Sequence, residues 1–85
     1  MQTKLLINGE LVAGQGEAQT VVDPATGKAI TAVPEASPEQ VSAAVTAADE
    51  AFQTYSKTTP AERAETLLNI ADCLEQNQDE LADLE

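Results

Sequence analysis

Eighty-five residues set the ceiling at one small domain. Four Lys and Arg against fifteen Asp and Glu give a net charge of −11, which excludes the basic face that nucleic-acid phosphates require and disfavours anionic membrane surfaces. With one cysteine, Cys73, and no histidine, the chain can form no internal disulfide and offers no His/Cys metal site.

Apolar residues make up 42% of the chain, but fifteen of them are Ala, and Phe52 and Tyr55 are the only aromatics. Such side chains build a thin core, and a chain this short keeps little surplus once conformational entropy is subtracted. Marginal stability in isolation is the expectation. The acids are scattered along the helical half, which reads as a solvated helix face; an acidic docking surface or a nucleic-acid mimic is the competing reading. The opening Met1-Gln2-Thr3-Lys4-Leu5 lacks the apolar run of a signal peptide, and no segment approaches the roughly 20 apolar residues of a membrane span. A reducing cytoplasmic location follows as the default.

From the N-terminus, Lys4 to Val12 predicts a β-hairpin. Asn8-Gly9 sits between β-prone runs, and a type I′ turn needs positive φ at both central residues. Ala13 to Glu17 is a loop, and Thr20-Val21-Val22 a second extended run. Asp23-Pro24-Ala25-Thr26-Gly27 then forms a corner: Pro24 bars helix, Asp23 supplies a local acceptor and Gly27 a positive-φ position. Lys28 to Val33 resumes as a strand that Pro34 stops.

Ser37-Pro38-Glu39-Gln40 opens the first helix, with Ser37 as N-cap, Pro38 at the first helical position and Gln40 closing a capping box. Val41, Ala44, Val45, Ala48, Phe52 and Tyr55 share one stripe, on which Phe52 and Tyr55 are packing anchors. Thr59-Pro60-Ala61-Glu62 repeats the same opening, followed by a stripe of Ala64, Leu67, Leu68, Ala71 and Leu74. Asn77 ends this helix and caps a third, given Glu80 three residues on. The last helix carries Leu81 and Leu84, with no C-terminal Gly and no basic last turn, so the chain reads as cut short at its C-terminus.

Side chains that carry chemistry are scarce. A reactive thiolate needs a helix N-terminus, a basic neighbour or a metal; Cys73 stands near the end of the second helix between Asp72 and Glu75, off the apolar stripe. No G-x-G-x-x-G, no Walker loop and no Asp-Ser-Leu carrier motif occurs. These residues by themselves specify no reaction, no catalytic group and no cofactor-binding group.

Order and spacing say more than any single motif. Ile7-Asn8-Gly9-Glu10, the corner Asp23–Gly27, Ala44-Val45 with Ala47-Ala48 and Ala51-Phe52, Arg63-Ala64 with Leu67-Leu68 and Ile70-Ala71-Asp72, and Glu80-Leu81-Ala82 with Leu84-Glu85 together resemble the N-terminal region of aldehyde dehydrogenases. That family usually has Asn where Asp23 stands and often Trp where Tyr55 stands. Within it, Lys4 to Val12 is most similar to bacterial γ-aminobutyraldehyde dehydrogenases.

The resemblance implies an α+β segment of a much longer chain, a single segment over 1–85 with strands and turns in 1–36 and helices in 37–85. The parent would have a Rossmann-like NAD-binding domain, a catalytic domain and a small oligomerisation domain, and assemble as a homotetramer or homodimer. It also implies NAD or NADP as cofactor of the parent and none for this chain alone. In the implied mechanism a Cys attacks the aldehyde, hydride passes to the nicotinamide, and Glu-activated water hydrolyses the thioester. The Gly-Gln-x-Cys and Glu-Leu-Gly-Gly motifs for those roles do not occur here, and Cys73 does not match the nucleophile. Relatives such as betaine-aldehyde dehydrogenases hold a monovalent cation by backbone carbonyls before the corner, which map to Val21 and Val22. The leading expectation is an inactive scaffold whose partner is the remainder of such an enzyme, an aminoaldehyde oxidiser. The alternative is a stand-alone acidic helical module that binds a basic or apolar partner.

Overall fold

Asn8 and Gly9 make the first tight turn, with φ of 52° and 76°. Positive φ at both centres is what a type I′ turn requires, and Asn and Gly adopt it at least cost. The turn joins β1 (Leu5–Ile7) to antiparallel β2 (Glu10–Val12), with Leu5 opposite Val12 and Ile7 opposite Glu10. The structure is a computed structural model and describes all of Met1–Glu85.

A second, separate hairpin pairs β3 (Ala18–Val22) with β4 (Ala29–Pro34). The corner foreseen at Asp23–Gly27 is its turn. The Asp23 carboxylate accepts from the Ala25 amide at 2.8 Å, and the Asp23 carbonyl accepts from Gly27 at 2.8 Å. The Asp23 amide donates to the Lys28 carbonyl at 2.9 Å, and Gly27 sits at φ 72°. β3 starts two residues earlier than expected. Pro34 closes β4 rather than preceding a break: it stands opposite Ala18 at the end of the ladder, where a missing N–H costs little.

Three helices follow: α1 (Pro38–Tyr55), α2 (Pro60–Gln76) and α3 (Gln78–Leu84). Both expected capping boxes form. The Gln40 amide donates to Ser37 Oγ at 3.1 Å while the Ser37 amide donates to Gln40 Oε1 at 3.0 Å. At α2 the Glu62 amide donates to Thr59 Oγ1 at 3.2 Å, and the Thr59 amide returns to Glu62 Oε2 at 3.4 Å. The Arg63 guanidinium also donates to the Thr58 carbonyl, fastening the turn before the helix. Asn77 departs from the sequence expectation. Its side chain gives α3 no cap and instead donates backward to the Cys73 carbonyl at 2.8 Å. The competition is local: the Asn77 backbone amide is shared among the last carbonyls of α2, and its side-chain amide can supply the second donor that a carboxylate cap could not.

The chain divides into two compact units, Gln2–Phe52 and Gln53–Glu85 together with Met1. The first holds both hairpins and most of α1; the second holds the end of α1 with α2 and α3. The thin core expected from composition is thinner still, since no residue is buried. Each two-stranded sheet stands alone, and the stripes on α1 and α2 meet no apolar face within their own unit. Val45 and Phe52 are 65% and 62% exposed, and Leu67 and Leu68 are 67% and 66% exposed.

Candidate functional site

The most ordered feature of the first unit is a knot of hydrogen bonds around Gln40. Besides closing the capping box, Gln40 Oε1 accepts from the Gln15 amide at 2.9 Å, and Nε2 donates to the Ala13 carbonyl at 2.8 Å. Ser37 Oγ adds a bond to Gln15 Oε1 at 3.3 Å. One side chain therefore ties the loop after β2 to the start of α1. The loop lies flat against the chain leaving β4: the Gly16 amide donates to the Glu35 carbonyl at 2.8 Å, and the Glu35 amide to Glu17 at 2.9 Å. A Cβ at Gly14 would sit 2.6 Å from the Glu35 carbonyl oxygen, and one at Gly16 would sit 2.9 Å from it. Only glycine permits that approach.

This knot holds the first hairpin beside α1 and leaves a crevice of about 770 Å³ between them. Ile7, Val12, Ala43 and Ala47 contribute apolar surface, and Glu10 and Glu50 are also among its lining residues. Such a lining is suited to holding an apolar group; it offers no nucleophile paired with a base.

Val21 and Val22, the sequence-predicted cation ligands, lie in β3 opposite Thr31 and Ala29. The pairing skips Ile30, so a β-bulge falls at this pair. Carbonyls of successive residues in a regular strand point to opposite sides, and a bulge is where that alternation breaks. As hard oxygen donors the two carbonyls fit a monovalent cation in kind. They are a minority of the ligand set such an ion needs, and no group of three or more Asp, Glu, His or Cys gathers in the chain to complete it.

Cys73 is exposed in the last turns of α2, its Sγ 3.8 Å from Asn77 Nδ2. Sequence reasoning found the Ser37–Gln40 box but missed its second half, the bonds to Ala13 and Gln15. The available signal was Gln rather than Glu at the third helical position, together with glycines on both sides of Gln15; an amide can donate onward after closing the box. No helix is long and apolar enough to cross a membrane.

Comparison with known proteins gives this scaffold a setting. The model of the aldehyde dehydrogenase family matches residues 11–85. The chain is 45% identical over 76 residues to a succinate-semialdehyde dehydrogenase (NADP+) of Saccharomyces cerevisiae, 89% of this chain and 15% of that protein. It is 42% identical over 79 residues to a malonate-semialdehyde dehydrogenase of Pseudomonas aeruginosa, 93% of this chain and 16% of that protein. Among solved structures, an NAD-dependent benzaldehyde dehydrogenase from Corynebacterium glutamicum matches 95% of this chain at a TM-score of 0.88 and 32% identity, over 18% of its own length. The chain thus spans less than a fifth of the length of the relatives it matches. Its hairpins, corner and twice-capped helices are those of an N-terminal segment, and the chain belongs to the aldehyde dehydrogenase family.

Proposed function

We propose that residues 1–85 serve as the N-terminal scaffold of an NAD(P)-dependent aldehyde dehydrogenase and carry none of its catalytic groups. The observation behind this reading is a set of family-matched elements that bury nothing among themselves. Their uncovered stripes are suited to packing against the remainder of a longer chain. The 85-residue chain alone, given an aldehyde and NAD, is expected to form no NADH; steady NADH production would overturn the assignment. A chimera in which this chain replaces the matching segment of the Saccharomyces cerevisiae relative is expected to stay soluble and to reduce NADP. An insoluble chimera would count against the scaffold role.

For the parent enzyme we take an aminoaldehyde such as 4-aminobutanal as substrate, on the strength of the Lys4 to Val12 run. The names of the two relatives above favour a second reading, a semialdehyde bearing a carboxylate. Comparing the two aldehydes on the intact enzyme separates them by kcat/KM. The same reading puts the enzyme in the cytoplasm as a homotetramer or homodimer; a chimera that sediments as a monomer would remove the second part.

Val21 and Val22 are the part of this chain that would hold a monovalent cation, through backbone carbonyls, at the bulge in β3. The ion would brace the corner and take no part in the chemistry. Replacing K⁺ or Na⁺ with a bulky organic cation is expected to lower the chimera's Tm, and an unchanged Tm would rule the site out.

A further inference from the structure

We propose that Asn8 is a site of spontaneous deamidation, and that the turn it helps to form holds the reaction back until the first hairpin opens. In this reaction the backbone nitrogen of Gly9, its proton lost to solvent hydroxide, attacks the side-chain carbonyl carbon of Asn8. The new N–Cγ bond closes a five-membered succinimide, the bond to the side-chain nitrogen breaks, and that nitrogen takes a proton from water and leaves as ammonia. Water then opens either imide carbonyl, giving an aspartyl or an isoaspartyl link. Water is the only further reactant, and the scaffold reading plays no part.

Of the asparagines Asn8, Asn69 and Asn77, Asn8 alone precedes a glycine, whose missing side chain leaves the attacking nitrogen least crowded. Space around Gly9 is open, since a Cβ placed there would meet nothing within 4 Å. Asn8 is itself exposed, and its carboxamide has no hydrogen-bond partner. By contrast, Asn69 lies within α2 before the branched Ile70, and the Asn77 carboxamide donates to the Cys73 carbonyl at 2.8 Å. The hold is in the backbone. Asn8 at φ 52° and Gly9 at φ 76° fill a type I′ turn, whose first central residue has ψ of roughly +30°. That angle sets the Gly9 nitrogen and the Asn8 Cβ on nearly opposite sides of the Cα–C bond, whereas the ring needs them eclipsed. Reaction therefore waits on opening. β1 and β2 have three residues each, pair only with one another and bury nothing, so this hairpin opens readily. The two products then differ in effect. An aspartyl link keeps the main chain, and Asp-Gly suits the same turn. An isoaspartyl link routes the main chain through Cβ, so the loop gains an atom and the pairing of Ile7 with Glu10 is lost.

The test is incubation of the 85-residue chain in warm neutral buffer beside an end-blocked peptide of residues 7–11, which is too short to pair. Peptide mapping by mass spectrometry follows each asparagine, and an isoaspartyl methyltransferase marks the isoaspartyl product. Asn8 is expected to convert well ahead of Asn69 and Asn77. Its rate in the chain is expected to be at least about threefold below that in the peptide, because only the open fraction reacts. Guanidinium chloride is expected to bring the chain up to the rate of the peptide in the same denaturant. Gly9→Ala made in the peptide, where no turn intervenes, is expected to slow conversion severalfold. Asn8 that stays intact in buffer and denaturant alike, conversion led by Asn69 or Asn77, or equal rates for chain and peptide in buffer would each overturn the proposal.

Discussion

Gln40 donates its side-chain amide to the carbonyl of Ala13 at 2.8 Å while its oxygen accepts from the amide of Gln15 at 2.9 Å. A single residue thus grips the loop backbone at two points, and the bond from Ser37 Oγ to Gln15 Oε1 adds a third tie to the start of α1. Glutamate would still close the capping box, yet it would bring a carboxylate against the Ala13 carbonyl in place of a donor. Gln40→Glu is therefore expected to destabilise the chimera by about 1–2 kcal/mol, read as a lowered Tm. A neutral result would mean the Ala13 bond contributes nothing.

Two glycines should respond differently to alanine. Gly27 sits at φ 72° with open space around a would-be Cβ, so Gly27→Ala is expected to cost only the backbone strain, about 1 kcal/mol. At Gly14 the added carbon would collide with the backbone carbonyls of Pro34 and Glu35. Backbone cannot turn aside as a flexible side chain can, so Gly14→Ala is expected to exceed the Gly27 cost, at about 2 kcal/mol or more. Thermal melts of the two chimeras rank them; the reverse order would show that the loop can lift away from Glu35.

Asn77→Asp separates the cap read from sequence from the cap seen in the structure. Were Asn77 an N-cap of α3, Asp would serve equally well. Because its amide instead donates to the Cys73 carbonyl, Asp removes that donor and sets a negative charge at the C-terminal end of α2. A loss of helical signal is expected when the 85-residue chain and its variant are titrated with trifluoroethanol and followed by circular dichroism. Equal helicity would favour the N-cap.

With no buried residue, the isolated chain has almost nothing to melt cooperatively. It is expected to unfold without a sharp transition or to self-associate through its apolar stripes, as calorimetry and sedimentation would report. A sharp transition in a monomer would instead favour a stand-alone acidic module.

Most of the fold was legible because it is locally encoded. Asn8-Gly9, Ser37 to Gln40, and Thr59 to Glu62 each determine a turn or a helix start within four residues, and each forms as read. Less accessible were features that depend on residues far apart in sequence. The bulge beside Val21 and Val22 depends on the register against Thr31 and Ala29, and the close pass of Gly14 depends on Glu35. Asn77 shows a subtler limit, since sequence marks a capping residue without saying which of two helix ends wins it. The apolar stripes were read correctly as faces, but periodicity does not reveal what covers a face.

The two capping boxes have a consequence for the order of events during synthesis. Each completes itself within a few residues of the helix it starts, and helical turns form in about a microsecond, whereas a ribosome adds on the order of ten residues per second. α1 and α2 can therefore settle their starting residues while the rest of an enzyme of this kind is still untranslated. Later segments would then meet apolar stripes whose register is already chosen, and would have only to find them.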